Sequence, residues 1–185
     1  LASTTSVIIE GVVTIDLVPL ISDPDSNLDL QSLQLVNNIS QAGASASINS
    51  SFELTLDYGG VLFSGNDFIT ISVCDLLNDC IEQELAIEVV GDIIVYNAIS
   101  PNTDNKNEIF YLKYIEVIPQ KQNNIVSIYN RWGDVVFEVD NYNNADRVFR
   151  GISKNGKDLP SGTYFYKIEY PNGQPTKTGY LVLKR

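Results

Sequence analysis

Ile125-Val126-Ser127-Ile128-Tyr129-Asn130-Arg131-Trp132-Gly133-Asp134-Val135-Val136-Phe137-Glu138-Val139 places two runs rich in β-branched residues on either side of a polar, glycine-containing turn. That pattern predicts a β-hairpin, since branched side chains favour the pleated backbone and Asn, Gly and Asp favour its reversal. Toward the C-terminus, residues 163–170 form an aromatic-rich strand that Pro171-Asn172-Gly173 ends, and residues 180–184 supply a last strand. Toward the N-terminus, residues 93–96 read as a strand, an Asn-rich loop runs to Glu108, and residues 109–118 read as a further strand. Residues 141–146 are loop and Asn155-Gly156 is a turn. No stretch shows sustained helical spacing, so this half is expected to be all-β with about seven strands and no helix.

The first half has the same texture. Residues 7–17 are apolar and β-branched but broken by Gly11, which predicts two short strands or one bulged strand. Residues 21–30 are a turn region around Pro24, Leu33, Leu35 and Val36 suggest a strand, and residues 42–50 are loop or a weak edge strand. Phe52, Leu54 and Leu56 alternate with Glu53, Thr55 and Asp57, the period of a half-buried strand. Residues 67–74 and 81–90 are two more strands around a turn at Leu77-Asn78-Asp79. Turn signals at intervals of about eight to twelve residues predict an immunoglobulin-like or cadherin-like β-sandwich.

Charge divides the chain. Residues 1–91 hold thirteen Asp and Glu and no Lys or Arg, whereas residues 92–185 hold ten acids and all twelve basic residues. Four of the eighteen aromatic residues fall in the first half. Two composition regimes meeting at Gly91-Asp92 predict two domains, residues 1–91 and 92–185. So acidic a first half is a poor partner for nucleic acid or an anionic membrane. No apolar run is long enough to span a bilayer, so direct membrane insertion is not expected. Leu1-Ala2-Ser3-Thr4 opens directly into strand-like sequence without a signal-peptide pattern, so the chain is read as a fragment or processed product, monomeric in isolation.

With no histidine, the chain lacks the usual general base and the imidazole metal ligand, and no pair of carboxylates stands in a distinctive setting. An enzyme is not expected, and no cofactor is required. Cys74 and Cys80 end one strand and begin the next, so they face each other across a hairpin mouth. A disulfide there would point to an oxidising compartment; two buried free thiols are the alternative. Asp23, Asp25, Asn27 and Asp29 could converge oxygens on a calcium ion, with Asp75 or Asp79 joining them, or could simply form an acidic turn. Asn102, Asp104, Asn107 and Glu108 repeat that spacing around Lys106, with a self-bonded Asx turn as the competing reading. Arg131 and Trp132 at a hairpin tip are either a stacked packing anchor or a binding hot spot.

Four blocks in order, Ser100-Pro101-Asn102, Tyr129-Asn130-Arg131-Trp132-Gly133, Pro160-Ser161-Gly162-Thr163-Tyr164 and the basic end Lys184-Arg185, resemble the gliding-motility-associated C-terminal domain of Bacteroidetes surface proteins. That is the type B signal domain of type IX secretion cargo, as in SprB-like gliding adhesins. The resemblance covers residues 93–185. Family domains often have Gly where this chain has Thr103 and Asn105, and Trp-Asp-Gly where it reads Phe149-Arg150-Gly151. Residues 5–90 in turn resemble the cadherin-like repeats of bacterial adhesins, through Asp23-Pro24-Asp25 and Val73-Cys74-Asp75. Together these resemblances imply a secretion and anchoring signal attached to the last stalk repeat of a large surface adhesin. They imply export through the periplasm to the cell surface. The implied partners are the type IX translocon and a PorP/SprF-like outer-membrane protein. The implied contact residues are Arg131, Trp132, Gly133, Pro160, Ser161, Gly162, Tyr164, Lys184 and Arg185. The alternative is a glycan- or surface-binding β-sandwich module, with Trp132 and tyrosines stacking on sugar rings.

Overall fold

The computed structural model describes residues 5–22 and 27–185, which divide into two compact units, Leu1–Gly91 and Asp92–Arg185. Strands dominate both. Among the described residues, no helix is long and apolar enough to cross a membrane.

The first unit contains β1 (Thr5–Ile8), β2 (Val12–Asp16), a single 3-10 turn at Val18–Leu20, β3 (Leu28–Leu35), β4 (Ser45–Ile48), β5 (Glu53–Asp57), β6 (Gly65–Asp75) and β7 (Cys80–Val90). Four strands form a sheet in the order β1-β7-β6-β3 and three form a second sheet, β2-β5-β4. Gly11 is where the chain leaves one sheet for the other. A Cβ at that position would stand 2.8 Å from the Ile8 carbonyl oxygen, so the tight crossing excludes a side chain. Leu54 and Leu56 of β5, Ile69, Ile71 and Val73 of β6, and Ile87 and Val89 of β7 are all buried, and their period of two separates core from surface.

One carboxylate lies inside this core. Asp67 is buried; its Oδ1 accepts from the Ala42 and Phe68 N–H groups at 2.7 and 2.8 Å, and its Oδ2 accepts from the Tyr58 hydroxyl at 2.7 Å. Three donors replace the water the charge has lost. Burial, the Asp67 hydrogen bond and the Asp67 charge push the Tyr58 phenol far above its ordinary value, so it remains a donor.

The second unit contains β8 (Ile94–Val95), β9 (Ala98–Ile99), β10 (Leu112–Lys113), α1 (Pro119–Gln122), β11 (Ile125–Tyr129), β12 (Val135–Asp140), β13 (Gly162–Glu169) and β14 (Lys177–Leu183). Its main sheet has the order β12-β11-β13-β14-β9, and β10 pairs with β8. The hairpin expected around residues 130–134 is the β11–β12 pair. The inner face carries Val126, Ile128, Tyr164, Ile168, Leu181 and Leu183, all buried. Gly179 lies opposite Tyr166, and a Cβ there would stand 2.7 Å from Tyr166 Cε1, so the missing side chain is the space the ring occupies.

The strand expected over residues 109–118 shrinks to Leu112–Lys113, and a helix follows where none was expected. The buried residues there are Phe110, Leu112, Ile115 and Ile118, a spacing that starts as a strand and loosens into turns. Tyr114 has φ 72°, its carbonyl accepts from Val117 and Ile118, and Pro119 opens α1, where the N–H it lacks would have had no helical partner.

At the start of this unit Asp92 pairs with Lys177 at 2.9 Å and Lys121 at 3.5 Å, and Lys121 Nζ lies 4.2 Å from the Tyr170 ring centroid. Burial alone would raise the Asp92 carboxyl. The Lys177 and Ile93 hydrogen bonds and the two lysine charges outweigh it and hold the carboxyl below its ordinary value of 3.8.

Two outcomes follow from these clusters. Asp67→Ala is expected to destabilise the chain by about 3 kcal/mol in urea unfolding, with Tyr58→Phe costing less, because the first strands three donors and the second removes one bond. Equal, near-zero changes would mean the cluster contributes nothing. Asp92, depressed in the folded state, contributes stability that is present above its unfolded value and lost as pH falls through the folded one. Asp92→Asn should therefore flatten the acid limb of the stability–pH curve below pH of about 4. An unchanged limb would remove Asp92 from that account.

Candidate functional site

The four sequence blocks meet at one end of the main sheet, Ser100-Pro101-Asn102 following β9, whose Ile99 pairs with Leu183. Because β13 runs antiparallel to both β11 and β14, the end of β11 at Tyr129, the start of β13 at Gly162 and the end of β14 at Leu183 lie side by side. The 130–134 turn, residues 160–162 and Lys184-Arg185 extend from that end.

Asn130 builds the turn. Its side-chain oxygen accepts from the Trp132 and Asp134 N–H groups at 2.9 and 3.0 Å, its amide donates to Asp134 Oδ2 at 2.9 Å, and Gly133 takes φ 88°. This fixed loop presents Trp132 outward, 72% exposed, with the Arg131 guanidinium 4.1 Å from the ring centroid. The Arg131–Trp132 stack therefore sits on the surface and anchors nothing in the core.

Arg185 turns inward. Its backbone N–H donates to Ser161 Oγ at 2.9 Å, Nε to the Leu159 carbonyl at 2.9 Å and Nη2 to the Gly151 carbonyl at 2.7 Å, and Nη2 also pairs with Asp158 at 2.8 Å. It latches the 151–161 loop against the sheet end. Tyr164, named above as a contact residue, is buried and donates to the Pro160 carbonyl at 2.9 Å. Its ring belongs to the core. Pro160 and Gly162 are exposed, as are Ser161 and Lys184.

Next to this end, the outer face carries a row that the sequence does not disclose. Tyr129 pairs with Phe165, and Phe165 with Tyr180, on three adjacent strands, with Phe165 48% and Tyr180 52% exposed. The alternation of Tyr164, Phe165 and Tyr166 signals that one ring must face outward. Only the register shows that it has neighbours on both sides.

Cys74 and Cys80 are disulfide-bonded, directly opposite each other in the β6–β7 register with Cα atoms 3.9 Å apart. Asp75 Oδ1 accepts from Leu77 and Asp79 N–H at 2.8 Å each and shapes the turn that the bond closes. Of the first calcium candidate, Asp23 and Asp25 lie outside the described residues. Asn27 donates to Asp75 Oδ2 at 3.2 Å, and Asp29 Oδ1 accepts from Gln31 N–H at 3.0 Å. In the second, Asn102 Oδ1 accepts from Asp104 N–H at 3.1 Å and Asp104 Oδ1 from Lys106 N–H at 2.8 Å, an interlocked pair of Asx turns. Thr103, Asn105 and Asn107 take φ of 67°, 62° and 54°, a conformation glycine adopts without cost and asparagine tolerates. Among the described residues, no three His, Cys, Asp or Glu side chains are grouped to hold a metal ion.

Residues 93–183 match the family model of the CHU_C Type IX secretion signal domain. No curated protein matches the chain. Similar solved structures include PorZ, a surface component of the type-IX secretion system of Porphyromonas gingivalis, at 12% identity and TM-score 0.38, covering 82% of this chain and 16% of PorZ. Dimeric latent PorU from the same organism aligns at 15% identity and TM-score 0.29, covering 99% of this chain and 19% of PorU. Drosophila N-cadherin EC1-3 aligns at 11% identity and TM-score 0.30, covering 88% and 56%. The chain thus spans less than a fifth of PorZ or PorU.

Reducing the disulfide, or replacing both cysteines by serine, is expected to cost about 2 kcal/mol in urea unfolding and to leave the second unit's near-ultraviolet circular dichroism intact. A loss of signal from both units would show that the bond acts beyond its own hairpin.

Proposed function

We propose that residues 92–185 are the C-terminal signal by which the type IX secretion machinery exports and retains a large surface adhesin, residues 1–91 being its last stalk repeat. The observation that carries this reading is the match of residues 93–183 to the Type IX secretion signal domain. The gathering of the Arg131–Trp132 turn, residues 160–162 and Lys184 at one sheet end supplies a surface for recognition. An exposed aromatic beside a guanidinium, on a turn already rigid, gives contact area at little ordering cost. The partner reading that end is the translocon, with a PorP/SprF-like outer-membrane protein as the retaining receptor. The role needs neither catalysis nor a cofactor. Calcium, if bound, would be a structural ion in the turn near Asn27 and Asp75, separate from export.

The test fuses a periplasm-targeted fluorescent reporter ahead of residues 1–185, or of residues 1–91 alone, in a gliding bacterium with and without a working type IX system. Surface reporter is expected only with residues 1–185 and a working system. Trp132→Ala combined with Lys184→Ala should lower it several-fold while thermal unfolding is unchanged. Export by residues 1–91 alone, or export independent of the system, would overturn the assignment.

A further inference from the structure

The Asn-rich loop borders a pocket on the second unit that the export reading leaves unused. Tyr96, just after β8, and Tyr111, just before β10, are joined by a backbone hydrogen bond of 3.3 Å and place their rings 5.9 Å apart. Both rings are substantially exposed, 49% and 41%. They line an open pocket of about 520 Å³ together with Asn105, Asn107, Glu108 and Arg150. That volume falls in the range of small-molecule sites, roughly 300–1,000 Å³.

The loop geometry holds the polar rim in place. The Asn107 carbonyl accepts from the Ser100 N–H at 2.7 Å, so the loop is pinned where β9 ends. Asn105 and Asn107 both take left-handed backbone angles. Both side chains are exposed at the rim. Each offers two donors and one acceptor. Glu108 Oε1 is buried without a hydrogen-bond partner, a deficit that folded proteins rarely leave unexplained. Arg150 commits one nitrogen to the Ala145 carbonyl at 3.0 Å and brings its charge to the same pocket.

The chemistry narrows the ligand. With one acidic and one basic side chain on its rim, the pocket has no net charge with which to draw an anion or a cation. A purely apolar ligand would strip water from the amides and both charged groups without replacing their hydrogen bonds. What fits is a neutral molecule with an apolar ring face for the tyrosines and a rim of groups that both donate and accept. That is a neutral sugar, whose hydroxyls can accept from an amide or guanidinium and donate to a carboxylate. We propose that the Tyr96–Tyr111 pocket is a binding site for neutral carbohydrate. It lies by the β9 edge of the main sheet, across β14, β13 and β11 from the β11–β12 hairpin that carries Trp132, and it does not rest on the export reading.

The test uses the whole chain and isothermal titration calorimetry with cellohexaose, xylohexaose and mannohexaose. Oligogalacturonate and chitosan hexamer serve as anionic and cationic counter-probes. At least one neutral hexasaccharide is expected to bind with a Kd of about 1 mM or tighter. Tyr111→Ala and Asn107→Ala should each weaken it by about tenfold. Trp132→Ala, at the other site, should leave it unchanged. Asn107 is exposed, so its variant tests the pocket even if Tyr111→Ala unfolds the chain. Three results would overturn the proposal: no neutral hexasaccharide binding at millimolar concentration, tighter binding of a charged probe, or binding that Trp132→Ala removes and Asn107→Ala does not.

Discussion

The second unit depends on how it satisfies backbone groups buried beneath its main sheet. Apart from the short β8–β10 pair, the covering segments are not strands, so no ladder takes up most of their N–H and C=O groups. Asn144 takes up both backbone groups of Leu112, and two buried side chains do much of the rest. Buried Asn124 donates to the carbonyls of Lys121, Gln122 and Tyr142 and accepts from the Tyr142 N–H at 2.9 Å. Tyr142 donates its hydroxyl to the Phe110 carbonyl at 2.5 Å and accepts from the Phe149 N–H at 3.0 Å. Burial pushes its phenol well above the ordinary value, which keeps the donor role intact. These two residues let an irregular chain lie in an apolar interior, and the Phe110–Tyr166 and Phe137–Phe149 ring contacts then fill the space between cover and sheet.

With the inner face closed in this way, the outer face and the sheet end are free for other uses. The same alternation that buries Tyr164 exposes Phe165. The same antiparallel register that builds the sheet brings blocks about twenty to thirty residues apart in sequence to one end of it. Exposed residues and core residues are thus interleaved in the sequence and sorted only by folding. That explains why a single motif holds both an exposed proline and a buried tyrosine.

The fold class was legible because its signals are local: period-two alternation at 53–57 and turn chemistry at 130–134. The cover was not. Residues 109–118 are as apolar as a strand, and only the tertiary need to follow the sheet's surface bends them into turns and α1. At the candidate site, the turn at Trp132 could be read because five consecutive residues encode it, whereas the exposure of its ring could not. The Tyr129–Phe165–Tyr180 row and the Tyr96–Tyr111 pair could not, because each depends on register between distant segments. Arg185 was misleading for a different reason: a terminal arginine looks free in sequence, while its latch partners lie at Gly151, Asp158, Leu159 and Ser161.

Trp132 is the chain's one tryptophan, and it projects into solvent from a hairpin tip, far from any core. In spectroscopic terms, its environment is already aqueous in the folded state. Unfolding therefore changes its emission little, whereas anything that covers that sheet end shifts the emission and shields it from soluble quenchers. The protein carries its own label for occupancy of this surface, and that label is nearly silent to stability.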